Sequence, residues 1–122
     1  MKANELMLGD WLQHASGKCF QITRLDMWID GSVHFACGHP HLWEYNNKFT
    51  PIPLTAEILE RNGFEKCRIE EIEYIGWRLN EDFSLELNDV DTLTWNEDVA
   101  IHYVHELQHA LRLCKIEKEI EL

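Results

Sequence analysis

The apolar positions change period along the chain. From Cys19 to Met27 they alternate: Phe20, Ile22 and Arg24 fall on one side, Gln21, Thr23 and Leu25 on the other. That two-residue period predicts a strand. Leu8-Gly9-Asp10-Trp11-Leu12 leads into it through a turn at Ala15-Ser16-Gly17-Lys18, and Ser32 to Cys37 follows, with Val33 and Phe35 on one face. Between the two, Ile29-Asp30-Gly31 carries an Asp-Gly pair, the best local hairpin signal in the sequence. Gly38-His39-Pro40-His41 breaks the third strand, and a weaker strand is expected over Leu42 to Tyr45. Short strands so closely spaced predict a small curled sheet or barrel, with an SH3-like barrel as the leading expectation.

Phe49-Thr50-Pro51-Ile52-Pro53-Leu54 then reads as an extended connector, because two prolines fix the backbone and remove two donors. The period lengthens after it. Thr55 is placed to cap a helix over Ala56–Asn62, Ile58 and Leu59 supply its apolar side, Gly63 stands where a terminating glycine belongs, and Phe64 can fold back on the helix. Residues 68–95 predict an antiparallel meander. Its first part does not alternate cleanly, so the register of 68–80 stays open, whereas Phe83, Leu85 and Leu87 form a one-sided strand. Turns are expected at Asn80-Glu81-Asp82 and Asn88-Asp89. A last helix is expected at about 100–114, followed by a tail, KIEKEIEL, that fits a strand or a fraying helix end. On a wheel of about 100° per residue, Tyr103, Val104, Leu107, Ala110, Leu111 and Cys114 share an apolar arc, with His102, His105 and His109 opposite it. The expected fold class is α+β: residues 1–54 as an N-terminal SH3-like barrel, and 55–122 as helix, antiparallel strands and helix.

Composition fits a packed domain rather than a disordered chain: 122 residues, 45% hydrophobic and 27% charged, with five Trp. No apolar run reaches the length of about 18 residues that a membrane helix needs. The N-terminus, MKANELMLGDWL, lacks the apolar core of a signal peptide, so the expected location is cytoplasmic. The four scattered cysteines, with no C-x-x-C pair, then read as free thiols. The net charge of −11 is concentrated downstream. Residues 1–54 hold four Lys/Arg against five Asp/Glu, and 55–122 hold seven against seventeen. Such a surface disfavours nucleic acid as a partner, since it repels phosphate backbones.

One stretch spells an enzyme signature. His105-Glu106-Leu107-Gln108-His109 fits H-E-x-x-H, in which two histidines one turn apart bind zinc and the glutamate acts as general base. A third ligand is required. Neither the histidine expected six residues on nor a glutamate on a further helix stands in the 13 residues after His109. His105 and His109 are therefore expected on a solvated face. Cys37, His39 and His41 place soft and imidazole ligands within five residues, but C-x-H-x-H is not a common structural-zinc spacing. The adjacent carboxylates Glu70-Glu71, Glu81-Asp82 and Glu97-Asp98 are unsurprising in so acidic a chain. No nucleophile elbow, Walker loop or dinucleotide fingerprint is present, so no cofactor and no catalytic set is expected. Aromatic residues carry the remaining signal. Trp11 is expected in the core, while Trp28 in a turn and Trp43 in a loop, with Tyr45, form a candidate interaction surface.

Three stretches, MKANELMLGDWL, FTPIPLTAEILERNGFEK and YVHELQHAL, resemble in order and spacing a family of small uncharacterised proteins common in Bacteroidetes genomes and their prophages and mobile elements. The family has no established activity, so the resemblance implies no catalytic residue. Its last stretch usually resembles Y-V-H-x-L-Q-N-L, with an amide where His109 stands. That implies that H-E-x-x-H is peculiar to this chain, and that Tyr103-Val104-His105 and Leu107-Gln108 pack the last helix.

The leading functional expectation is a non-enzymatic interaction module, an accessory protein of a phage or mobile element, with an unidentified protein as partner and neither nucleic acid nor membrane. The alternatives are an acidic DNA mimic, built on carboxylates such as Glu70, Glu71, Glu73 and Glu86, and a zinc-dependent hydrolase acting through His105, Glu106 and His109.

Overall fold

The computed structural model describes residues 5–37, 48–69, 74–87, 92–96 and 99–122. They form an α+β protein of nine strands and two helices, dividing into two compact units, Met1–Ile52 and Pro53–Leu122.

The first unit is a curled, half-barrel sheet of four antiparallel strands: β1 (Trp11–His14), β2 (Cys19–Met27), β3 (Val33–Cys37) and β4 (Phe49–Pro51), in the order β3-β2-β1-β4. Its core gathers Leu6, Leu12, Ile22, Phe35, Cys37 and Phe49, with Phe20 and Leu25 packed against them. Leu25 departs from the simple alternation, which set it on the face opposite Phe20 and Ile22. The cause is a β-bulge. Ile22 pairs with Cys37 and Arg24 with Ala36, so Thr23 is an extra residue on β2 and every later side chain changes face. Arg24 turns out to solvent and Leu25 turns inward. Trp11, expected in the core, is half-buried on β1. The expected break at Gly38–His41 and strand at Leu42–Tyr45 lie outside the described residues.

The second unit begins with α1 (Ala56–Arg61), and each end is set by the sequence. The Thr55 hydroxyl accepts the Ile58 N–H at 3.2 Å. At the other end Gly63 takes φ +86°, its N–H reaches the Glu60 carbonyl at 3.1 Å, and the Phe64 N–H reaches the Leu59 carbonyl at 3.0 Å. That paired closure needs a left-handed residue, which glycine adopts freely. It returns Phe64 onto Leu59, and both are buried.

Five antiparallel strands follow in sequence order, a meander of β5 (Glu65–Ile69), β6 (Tyr74–Asn80), β7 (Phe83–Leu87), β8 (Leu93–Trp95) and β9 (Val99–Ala100). The register left open by the sequence is Glu65 opposite Arg78 through Ile69 opposite Tyr74, and a second bulge at Leu79 separates the Arg78–Ser84 and Asn80–Phe83 pairs. Phe83 and Leu85 face inward, as their alternation predicts. The expected turn at Asn88-Asp89 lies outside the described residues.

The last helix, α2 (Val104–Leu113), starts later than the expected residue 100. Val99 and Ala100 are instead drawn into β9 opposite Trp95 and Thr94, and Tyr103 is bridged to Pro53 in extended backbone. The tail is neither strand nor helix. It has no regular secondary structure, and its Ile120 is buried. Among the described residues no helix is long and apolar enough to cross a membrane.

Candidate functional site

The β2–β3 hairpin carries its apolar residues outward. The chain turns over Ile29-Asp30-Gly31, with the Gly31 N–H on the Trp28 carbonyl at 2.9 Å and the Trp28 N–H on the Ser32 carbonyl at 2.8 Å. Gly31 sits at φ +86°, the left-handed position that closes a three-residue loop. This geometry leaves Met27 76%, Trp28 54% and Ile29 fully exposed. Three consecutive large apolar side chains in water are a feature that folding alone does not require.

Polar groups beneath the tip hold it in one shape. Asp30 Oδ1 accepts from the Ser32 N–H at 2.9 Å and from the Ser32 hydroxyl, and these donors lower the pKa of its carboxyl from the ordinary 3.8. The Ser32 hydroxyl also lies 2.8 Å from His34 Nε2. One hydroxyl proton cannot serve both neighbours. With Asp30 ionised it goes to the carboxylate, and His34 Nε2–H donates to Ser32. The relay therefore runs from histidine to serine to aspartate, the reverse of the polarity that activates a serine nucleophile. Its effect is to fix the His34 ring, on which the Trp28 indole stacks at 3.5 Å between centroids and 17° between planes. Arg24 and Asp26 pair at 3.3 Å along the same strand.

The other candidate aromatic residues, Trp43 and Tyr45, lie outside the described residues, as do His39 and His41. Cys37, their expected companion in a metal site, is buried among Leu12, Ile22, Phe35 and Phe49, and burial pushes its thiol up to about 12.

H-E-x-x-H lies at the start of α2, and its residues have local work. Glu106 Oε1 accepts the His102 N–H at 2.9 Å and the Tyr103 N–H at 3.0 Å. The carboxylate thus caps a helix whose N-cap residue, Tyr103, is not one of the usual cappers. His105 is not on a solvated face. It is 7% exposed, its ring stacked on that of Tyr103 at 5.9 Å and meeting the edge of His109 at 5.6 Å. Gln108 is equally buried, His109 is half-buried and His102 is exposed. The wheel placed these residues by angle alone. Six of the ten helical residues are buried, from Val104 to Leu111, so cover extends well beyond one apolar stripe. Among the described residues, no three His, Cys, Asp or Glu side chains are placed to hold a metal ion. Of the carboxylates that suggested DNA mimicry, Glu70, Glu71 and Glu73 lie outside the described residues, and Glu86 is half-buried on β7.

No protein-family model, no curated protein and no solved structure matches the chain.

Proposed function

We propose that the protein is an interaction module that docks on another protein through the β2–β3 hairpin tip. The observation that carries this reading is the exposed run Met27-Trp28-Ile29 on a turn braced by Asp30, Ser32 and His34. Covering a large apolar side chain is worth about 1.5–3 kcal/mol, and tryptophan is enriched among residues that dominate interfaces. Bracing adds to this. A tip already held in its bound shape loses little conformational freedom on docking. The reading takes the first unit as an SH3-like barrel presenting the hairpin. It also takes the chain as a relative of the small uncharacterised proteins common in Bacteroidetes genomes and their prophages and mobile elements, which makes a phage or mobile-element accessory role its biological setting.

A photoreactive residue placed at Ile29 tests the reading in cells. It is expected to cross-link one protein, with Trp28→Ala removing the adduct. The same group at Glu57, on exposed α1, is expected to give none. Identical adducts from both positions, or none from Ile29, would refute docking through the tip.

A further inference from the structure

The second unit holds a concavity of about 170 Å³ between β8, β9 and one stripe of α2. We propose that it binds a small aromatic ammonium compound, one ring with a short aminoalkyl arm. The size sets the first limit: a cavity of about 150 Å³ accommodates benzene. The walls set the second. Glu106, His109, Ala110 and Leu113 stand at helical spacing on one side, and Trp95 and Ala100 line the other. The two alanines leave the space that larger residues would fill. Trp95 is held in place, its ring stacked on Phe83 at 6.3 Å and 20°. Val99 and Leu113 also line it and are 46% and 73% exposed, apolar surface that an aromatic ring would cover.

Charge selects the ligand's polar end. Among the described residues, Glu106 is the one carboxylate that lines the concavity, and neither Lys nor Arg lines it. Two backbone N–H groups pin the Glu106 carboxylate, so it need not be ordered when a cation arrives. A chain of net charge −11 adds a field of the same sign.

The test compares 2-phenylethylammonium, 2-phenylethanol and 3-phenylpropionate by NMR titration of the intact chain at neutral pH. The ammonium compound is expected to bind with a Kd of about 1 mM. It should bind at least about tenfold tighter than the carboxylate, with the alcohol between. The shifted resonances should centre on the Trp95 indole N–H and the Ala100 and Ala110 methyl groups. Glu106→Gln is expected to bring the ammonium compound to the alcohol's affinity while leaving the alcohol unchanged, which also reports that the variant is folded. Ala100→Leu, which fills the space, should abolish all three. Equal binding of ammonium and carboxylate would overturn the proposal. So would shifts centred elsewhere, no binding at all, or a Glu106→Gln variant that keeps the ammonium preference.

Discussion

Asn62 makes the sharpest test of how the second unit holds its C-terminal segment. It is 4% exposed, and all of its amide is used. Nδ2 donates to the Ile58 and Glu121 carbonyls, each at 2.8 Å, and Oδ1 accepts the Glu121 N–H at 2.7 Å. The Glu121 backbone thus meets a side chain where a neighbouring strand would otherwise stand, and Ile120 beside it is buried. Asn62→Ala removes both Glu121 bonds. The Ile58 carbonyl keeps its backbone partner, the Asn62 N–H at 3.1 Å, so its loss is small. Two neutral bonds at about 1 kcal/mol each give a cost of about 2 kcal/mol. Releasing Ile120 adds up to about 1.5–3 kcal/mol more if the segment detaches. Asn62→Asp separates bonding from volume. The side chain keeps its shape and the acceptor for the Glu121 N–H, but sets a carboxylate oxygen against two carbonyl oxygens, so it should cost more than alanine at neutral pH. Urea unfolding followed by tryptophan fluorescence measures both, and hydrogen exchange at the Glu121 amide gives the local reading. A cycle with Ile120→Ala should be less than additive, since the two residues hold the same segment. An alanine variant within about 0.5 kcal/mol of the parent, with the Glu121 amide still protected, would refute the clamp.

Other expectations follow from single features. Lys115 ends α2 at φ +57°, with its N–H on the Arg112 carbonyl and that of Ile116 on the Leu111 carbonyl. Lys115→Gly should therefore raise stability by about 0.5–1 kcal/mol in urea unfolding, since a side chain is strained there. Removing the Glu106 cap should cost about 1–2 kcal/mol as Glu106→Ala and about half of that as Glu106→Gln, which retains one acceptor oxygen. Equal stability of the three proteins would count against the cap. Cys37 should be the last of the four cysteines to react with Ellman's reagent in the native protein at pH 8. Its folded pKa of about 12 stands above the ordinary 9.0, so the unfolded chain loses this proton first as pH rises. Its contribution is intact below pH 9 and is lost between about 9 and 12, by up to about 1.4 kcal/mol per pH unit. Cys37→Ala should flatten that part of the stability profile.

How far the fold could be read in advance follows from where each structural determinant lies. Thr55, Gly63 and Phe64 act within a turn or two of α1, so the helix is legible from its own residues. The β2–β3 tip is legible for the same reason: Asp30-Gly31 selects the turn, and the turn exposes Ile29. The bulge at Thr23 is not, because an alternating pattern does not mark where a partner strand skips a residue. The end of α2 is equally hidden, since a lysine takes the left-handed position usually marked by glycine.

H-E-x-x-H shows the same division within five residues. Leu107 is completely buried, as the apolar period requires. Glu106 caps backbone groups three and four residues before it, a local role that the spacing allows but that Tyr103, as an atypical cap residue, does not advertise. His105 and Gln108 are polar yet buried, and no period identifies them, because their burial depends on how widely α2 is covered in the folded chain. A motif match records residue types and spacing. Catalysis additionally needs a carboxylate free to take a proton and a third ligand facing the histidines. In this chain the Oε1 atom of that carboxylate is already committed to the backbone of its own helix. The histidine next to it is packed beneath Tyr103, so the first four letters of the signature are accounted for by how α2 begins and packs.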